Sequence, residues 1–311
     1  MGGGASKQLQ KENETAKLEI AKLKEEKAAS DKKLSDAMSE IVELKTPRDP
    51  VKAKLWNPPD PVSSYDSVSN LKGKKILITG CDRGIGLEMT KHLTEKCGAE
   101  VIAVSHSDPP SAELEDIDCY KVIAGVDITK ADGMMILREK LDSEIVDVLV
   151  NNAGVLSHAE NSLGLEQISQ GVDGACEKYQ IEMATNAIGH LRVTASILDK
   201  LASPGGKIFF TSSNMGSMTD MAAGGAYGYR ASKAALNAVA KAMSLELKPK
   251  GITVCIINPG LVDTDMARPF PAAGKIALPE CARKYIQYIN DSTEANSGNW
   301  MDVNTGELVN F

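Results

Sequence analysis

Tyr229 and Lys233 stand four residues apart in YRASK, a spacing that puts both side chains on one face of a helix, one turn from each other. A tyrosine hydroxyl titrates near pH ~10 and is a poor acid–base group unless a neighbouring cation stabilises its anion. A lysine one turn along supplies that cation. Ser212 and Ser213 end the apolar run Lys207 to Thr211, and either could hold a carbonyl oxygen while the tyrosine protonates it. Each cluster alone has an ordinary reading, as a helix pair or a buried serine. Arriving in order after consecutive apolar runs, they read as a proton-transfer site.

Something must position these groups, and the stretch KKILITGCDRGIG, Lys74 to Gly86, shows what. Ile76, Leu77 and Ile78 form an apolar run without polar alternation, as in a strand covered on both faces. Gly80, Gly84 and Gly86 then mark a tight turn, with Arg83 and Ile85 between them, and Leu87 to Leu93 begins an amphipathic helix. A strand, a glycine-rich turn and a helix N-terminus make an anion site, because backbone N–H groups point outward and absent side chains admit a pyrophosphate.

From Leu71 onward strand and helix patterns alternate. Further apolar runs fall at Glu100 to Ser105, Tyr120 to Ala124, Val146 to Val150, Lys207 to Thr211 and Thr253 to Ile257. Helical patterns follow at Ala131 to Leu141, as two stretches filling Gly174 to Leu201, and at Ala231 to Leu247. Repeated βα units predict a Rossmann-type α/β fold: one domain, residues 71–311, with a doubly wound parallel sheet and ligands at the carboxyl ends of the strands.

Residues 1–45 differ. Lys and Glu dominate, proline is absent until Pro47, and apolar residues recur at helical spacing through Leu9, Ala16, Ile20, Leu23, Leu34, Ala37, Ile41 and Leu44. This predicts a helical arm with a coiled-coil seam, weakened by Asn13, Lys27 and Ser30; a single solvated helix is the alternative. Met1, Gly2 and Ser6 satisfy the pattern for N-myristoylation, which would give weak, reversible membrane attachment; a glycine-rich start also fits plain disorder. Residues 46–70 hold five prolines and read as an extended linker, with Trp56 available to pin it to the domain or to a partner.

Composition narrows the function classes. A formal charge of -7 argues against a general nucleic-acid binder. Six cysteines without CxxC spacing, and no visible secretory signal, predict reduced thiols in the cytoplasm. Four histidines without ligand spacing point to no metal site. No apolar run reaches the length of a membrane span.

TGCDRGIG, NNAG, the serine–tyrosine–lysine set and NPGLVDTDM together resemble the short-chain dehydrogenase/reductase family, over roughly Leu71 to Phe311. GYRASKAALN and the ending NWMDVNTGELVNF are similar to its Sniffer and C-factor-like carbonyl reductases, although their usual Pro-Trp ending is replaced here by Asn310 and Phe311. The resemblance implies that Tyr229 is the general acid/base and that Lys233 lowers its pKa and bonds the nicotinamide ribose. Ser213 would orient the substrate oxygen, with Ser212 as fallback, and Asn186 would complete a proton relay. Ser213 and Tyr229 lie sixteen positions apart, more than in many members, and the insert around Gly224 and Gly225 can absorb the excess.

The same resemblance implies a nicotinamide cofactor and a small carbonyl or alcohol substrate. The second strand ends in Ser105, His106 and Ser107, without the acid that would bind a ribose 2′-hydroxyl. With Arg83 in the glycine-rich turn this favours NADP over NAD, and His106 stands where relatives often carry the stronger phosphate ligand, arginine. Asp127 matches the family's adenine-contacting aspartate. Asn152, Ala153 and Gly154 should line the cofactor, and Pro259, Gly260, Val262 and Thr264 should embrace the carboxamide. The resemblance further implies a homo-oligomer through the helices carrying Asn186 and Tyr229, while the arm could add a coiled-coil partner. Pocket walls are expected at His158 to Gly174 and Met266 to Leu278. The competing reading is a scaffold or signalling protein whose reductase-like domain binds nucleotide with little turnover.

Overall fold

The computed structural model describes Lys32 and residues 56–58, 68–157 and 165–311. The chain divides into two units, Met1–Val51 and Lys52–Phe311. Of the first, only Lys32 is described, as helical and exposed. The expected coiled-coil seam and the Gly2 acylation pattern therefore lie outside the described residues.

The second unit carries seven strands, β1 Lys75–Thr79, β2 Glu100–Val104, β3 Lys121–Ile123, β4 Val148–Asn151, β5 Lys207–Thr211, β6 Thr253–Asn258 and β7 Trp300–Asp302. Its helices are α1 Gly84–Glu95, α2 Ala112–Glu115, α3 Ala131–Leu141, α4 Leu165–Ser169, α5 Val172–Met183, α6 His190–Ser196, α7 Tyr227–Leu247 and α8 Leu278–Asp291. The sheet order is β3-β2-β1-β4-β5-β6-β7 and every pairing is parallel. The order reverses at β1, which lies between β2 and β4. The crevice at their carboxyl ends is the switch point where such sheets place ligands.

The unbroken apolar run of β1 has a direct cause. Ile76 and Ile78 pack in one layer with Met89 and Leu93 of α1 and Tyr285, Ile286 and Ile289 of α8. Leu77 enters the opposite layer with Leu137 of α3 and Leu236 and Ala240 of α7. All three strand residues are fully buried, so both faces of the strand are apolar along Ile76 to Ile78.

Three features depart from the sequence expectation. The strand β7 pairs Trp300, Met301 and Asp302 with the end of β6; three residues flanked by turn formers carry too little periodicity to announce themselves. The helix expected from Ala231 begins at Tyr227, so Tyr229 is already in its first turn. The two helical stretches expected over Gly174 to Leu201 are present as α5 and α6, but a π-helical segment, Ala184–Gly189, joins them. Of the expected linker, the described residues 56–58 and 68–70 rest on the domain. The Trp56 ring meets Tyr288 edge-on with centroids 5.2 Å apart, and the Asn70 amide donates to Asn290 Oδ1 at 3.1 Å.

Candidate active site

The glycine-rich turn is shaped by what its residues lack. Gly80 has a φ of +74°, and a Cβ there would lie 2.8 Å from Ala153 Cα. At Gly86 a Cβ would fall 2.2 Å from Gly80 O and 2.6 Å from Asn152 Nδ2. The ends of β1 and β4 are therefore in backbone contact, and hydrogen bonds stitch them together. Thr79 Oγ1 accepts the amides of Asn152 and Ala153, each at 3.1 Å, while Asn152 Nδ2 donates to Thr79 O at 3.0 Å. No side chain caps α1, whose first-turn N–H groups stay open at the turn, with Arg83 exposed at the cap position and Ile85 half-buried behind it.

Asp82, in the same turn, went unremarked in the sequence and organises the neighbouring loop. Its Oδ1 accepts the Ser105 hydroxyl at 2.6 Å and the Ser111 amide at 3.3 Å, and its Oδ2 accepts the His106 amide at 3.0 Å. The signal available was an acid inside a glycine-rich turn. The His106 side chain is exposed. Asp127 Oδ1 accepts the amide and hydroxyl of Thr129 at 2.8 and 2.7 Å. Burial opposes the charge of Asp127, but these two bonds outweigh it and hold the carboxyl below its ordinary pKa.

The groups expected to react meet where β5 ends. Lys233 Nζ donates to Thr211 O at 2.8 Å and lies 5.7 Å from the centroid of the Tyr229 ring. Both residues are buried, at 3% and 9% exposure, and burial brings the lysine down to about 8. Burial also pushes the tyrosine up to about 12, with the Ser213 hydroxyl bond pulling down and the Glu182 carboxylate pushing up. The desolvation of the phenolate outweighs the pull of Ser213, and Tyr229 sits above its ordinary value.

The two serines separate cleanly. Ser212 Oγ donates to Asn237 Oδ1 at 2.6 Å, buried under α7. Ser213 is half-buried, accepts the Met215 amide at 3.2 Å, and stands close enough to Tyr229 for its hydroxyl to pull the phenol's pKa down. Asn186 sits in the π-helical segment, a distortion that is frequent at functional sites. Its Oδ1 accepts the Val155 amide at 2.8 Å, and its Nδ2 donates to Val155 O at 2.9 Å and to Ser232 Oγ at 3.0 Å. Gly154 lies between the two polar groups: a Cβ there would be 3.4 Å from Asn186 Oδ1 and 3.7 Å from Lys233 Nζ.

The loop after β6 closes the opposite side. A Cβ on Gly84 would lie 3.5 Å from Thr264 Cγ2, so this loop faces the glycine turn directly. Val262 pairs with Ile276, and Pro259 O accepts Asn304 Nδ2 at 2.8 Å. Gly260 has a φ of +78°, and a Cβ there would meet Asn304 Nδ2 and Ile276 Cδ1, both at 2.7 Å. Of the expected pocket walls, residues 158–164 lie outside the described residues. The 266–278 loop is described and largely exposed. Among the described residues, no cluster of His, Cys, Asp and Glu could hold a metal ion and no helix is long and apolar enough to cross a membrane.

Residues 74–274 match the family model for short chain dehydrogenase. The chain is similar to the 1-hydroxy-2-glutathionyl-2-methyl-3-butene dehydrogenase of Rhodococcus sp. (strain AD45), at 31% identity over 226 residues, or 72% of this chain and 93% of that protein. It is also similar to C-signal of Myxococcus xanthus, at 35% identity over 164 residues, 52% of this chain and 92% of that protein. Among solved structures it resembles the carbonyl reductase Sniffer of D. melanogaster, with a TM-score of 0.66 and 25% identity over 76% of this chain and 99% of that one. It shares its fold with the NADPH-bound carbonyl reductase from chicken fatty liver, with a TM-score of 0.66 and 23% identity over 78% of this chain and all of that one.

Proposed function

We propose that this protein, which belongs to the short-chain dehydrogenase/reductase family and is an NAD(P)-dependent oxidoreductase, interconverts a small carbonyl and its alcohol with NADP(H), using Tyr229 as the acid–base group. The observation that carries this reading is the convergence of Ser213 and Lys233 on Tyr229, at the strand ends beside an open helix N-terminus.

The residues present fit a dinucleotide. Gly80, Gly84 and Gly86 leave a cradle that a Cβ at Gly80 or Gly86 would disrupt, and the uncapped amides of α1 suit a pyrophosphate. Asn152, Ala153 and Gly154 would flank it, Asp127 would meet the adenine, and Pro259, Gly260, Val262 and Thr264 the carboxamide. Two features support NADP: Arg83 is exposed at the turn, and Asp82, an acid beside the end of β2, is occupied by Ser105, His106 and Ser111.

When bound, the cofactor supplies the hydride. Tyr229 gives its phenolic proton to the oxygen as a carbonyl is reduced, and recovers a proton as an alcohol is oxidised. A buried phenol that stays protonated at neutral pH suits the first direction. Ser213 holds the reacting oxygen against the phenol. Lys233 bonds the cofactor ribose and stabilises the phenolate as it forms, and Asn186 anchors the Val155 loop beside it. Ile181, Ile188 and Leu191 are exposed along α5, the π-helical segment and α6, which supports self-association through this face.

The test is oxidation of NADPH, against NADH, with quinones, diketones and aldehydes, for wild type beside Tyr229→Phe. Turnover that collapses in the variant supports the reading. Tight NADPH binding with no tyrosine-dependent turnover sinks it in favour of a nucleotide-binding scaffold.

A further inference from the structure

Trp56 is remote in sequence from the site, yet its contacts lead back to it. Its indole N–H donates to Asp291 Oδ2 at 3.0 Å. Asp291 is the last residue of α8, where the helix dipole disfavours an anion. Donors from Trp56, from Gln287 at 2.9 Å and from Asn290 at 2.9 Å offset that. On the other side, the Trp56 amide donates to Gly306 O at 3.3 Å. Gly306 has a φ of +74°, and a Cβ there would fall 1.8 Å from Trp56 O and 2.9 Å from Pro58 Cδ. The turn at Gly306 is thus moulded to residues 56–58.

That turn springs from Asp302, the last residue of β7. Asp302 Oδ1 accepts the amides of Asn304 and Thr305 at 2.8 and 3.1 Å, and its carbonyl accepts the Gly306 amide at 2.9 Å. The second carboxylate oxygen accepts Asn258 Nδ2 at 2.7 Å. Asn258 ends β6 at 3% exposure, and its Oδ1 accepts the amides of Asn214 at 3.1 Å and Gly260 at 3.3 Å. Asn214 follows Ser213, and Gly260 lies in the loop assigned above to the nicotinamide. The Asn258 carboxamide has one satisfying orientation, oxygen toward two amides and nitrogen toward an acceptor at position 302. A continuous set of hydrogen bonds therefore runs from Trp56 through the 302–307 turn to the backbone at Ser213 and Gly260.

We propose that residues 56–58 and the 302–307 turn form a clasp that sets the geometry of the nicotinamide end of the site, and with it the affinity for the cofactor. Trp56, Asp302 and Asn258 act as positioning residues through the backbone they hold. The segment that leads from the N-terminal arm into the domain is thereby energetically coupled to cofactor binding. This rests on the reading of the β6 loop as the nicotinamide site.

The experiment uses the full chain without substrate. NADPH affinity is measured by fluorescence titration and amide exchange is followed at residues 258–262, for wild type, Trp56→Ala, Asp302→Asn and the double variant Asn258→Asp/Asp302→Asn. Asp302→Asn sets one amide donor against another, and roughly tenfold weaker binding with faster exchange is expected. The double variant reverses donor and acceptor while keeping every bond, and should return affinity to within about twofold of wild type. Trp56→Ala should weaken binding about threefold. A double variant no better than the single one overturns the clasp, as does a Trp56→Ala protein that melts earlier yet binds NADPH as wild type does. Wild type that binds neither NADPH nor NADH overturns the cofactor reading and the clasp with it, whereas wild-type binding with unmoved variants overturns the clasp alone.

Discussion

The nucleotide side of the site and the reacting side are built on opposite principles. At the β1–β4 crevice the working parts are backbone amides and missing side chains: Gly80 and Gly86 touch the opposing backbone with nothing to spare. At the end of β5 they are functional groups, Tyr229, Lys233 and Asn186 buried and Ser213 half-buried, with Lys233 and Asn186 held by hydrogen bonds and the two that titrate, Tyr229 and Lys233, displaced from their ordinary pKa values. The first region tolerates no addition and the second no subtraction. Substitutions on the two sides should therefore fail in different measurements.

The sharpest contrast pairs Tyr229→Phe with Gly86→Ala. Loss of the phenolic proton should cut turnover by about 10²- to 10⁴-fold while NADPH binding stays near wild type. The alanine Cβ at position 86 would meet Gly80 O, a backbone atom that cannot step aside, so the turn must open. Binding should fall below detection in a fluorescence titration, with a loss of stability of about 1–3 kcal/mol in urea. If Gly86→Ala bound NADPH normally and merely turned over slowly, the division between the two sides would not stand.

Ser213→Ala against Ser212→Ala refines the reacting side. Removing the hydroxyl beside Tyr229 should lower kcat by about 10²-fold with little change in melting temperature. Removing the one that donates to Asn237 leaves a buried oxygen unpaired, and should cost about 1–3 kcal/mol of stability with a smaller kinetic effect. The reverse pattern would reassign the serine.

Glu182 offers a gentler probe. It is 1% exposed, its Oε1 accepts the Ser157 amide at 2.8 Å, and its Oε2 has no hydrogen-bond partner among the described residues. Burial pushes its pKa up against the opposing pull of the Ser157 bonds. The native state therefore holds this proton more tightly than the unfolded chain does. The associated stability is fully present below the unfolded carboxylate value of about 4.3 and is lost as pH rises through the raised native one. Glu182→Gln abolishes that decline, so its urea midpoint should gain on wild type between pH 4 and 8. It also removes the charge that pushes Tyr229 up, so the pKa in the pH profile of alcohol oxidation should fall. Parallel midpoints and superimposable profiles would show that Glu182 carries no charge in this range.

The same opposition explains what could be read from the chain. The nucleotide side was legible because a glycine is informative wherever it stands: three of them after an apolar run specify backbone proximity. Tyr229 and Lys233 were legible because helical spacing alone brings them to one face. Asp82, Asn258 and Asp302 were not: Asp82 and Asn258 accept backbone amides of distant loops, Asp302 accepts the Asn258 side chain, and sequence gives no register between polar groups twenty or forty residues apart. β7 escaped for a related reason: its burial comes from pairing with β6, a tertiary fact that a three-residue segment cannot encode by period. The depth of burial at Tyr229 was not legible either, because a neighbouring lysine is visible in a sequence and desolvation is not.

The smallest expected effect tests the nucleotide side by addition rather than loss. His106 is exposed at the end of β2, its amide fixed by Asp82 and its side chain free of any packing role in the core. If the 2′-phosphate of NADP lies between this loop and Arg83, a guanidinium at position 106 adds a forked pair of donors where an imidazole offers one. His106→Arg should tighten NADPH by about threefold and leave NADH unchanged. The gain should shrink between 50 and 300 mM salt, since an exposed ion pair is screened. An equal gain for NADH would place the new charge near the pyrophosphate instead, and no gain for either cofactor would move the adenosine phosphate away from the β2 loop altogether.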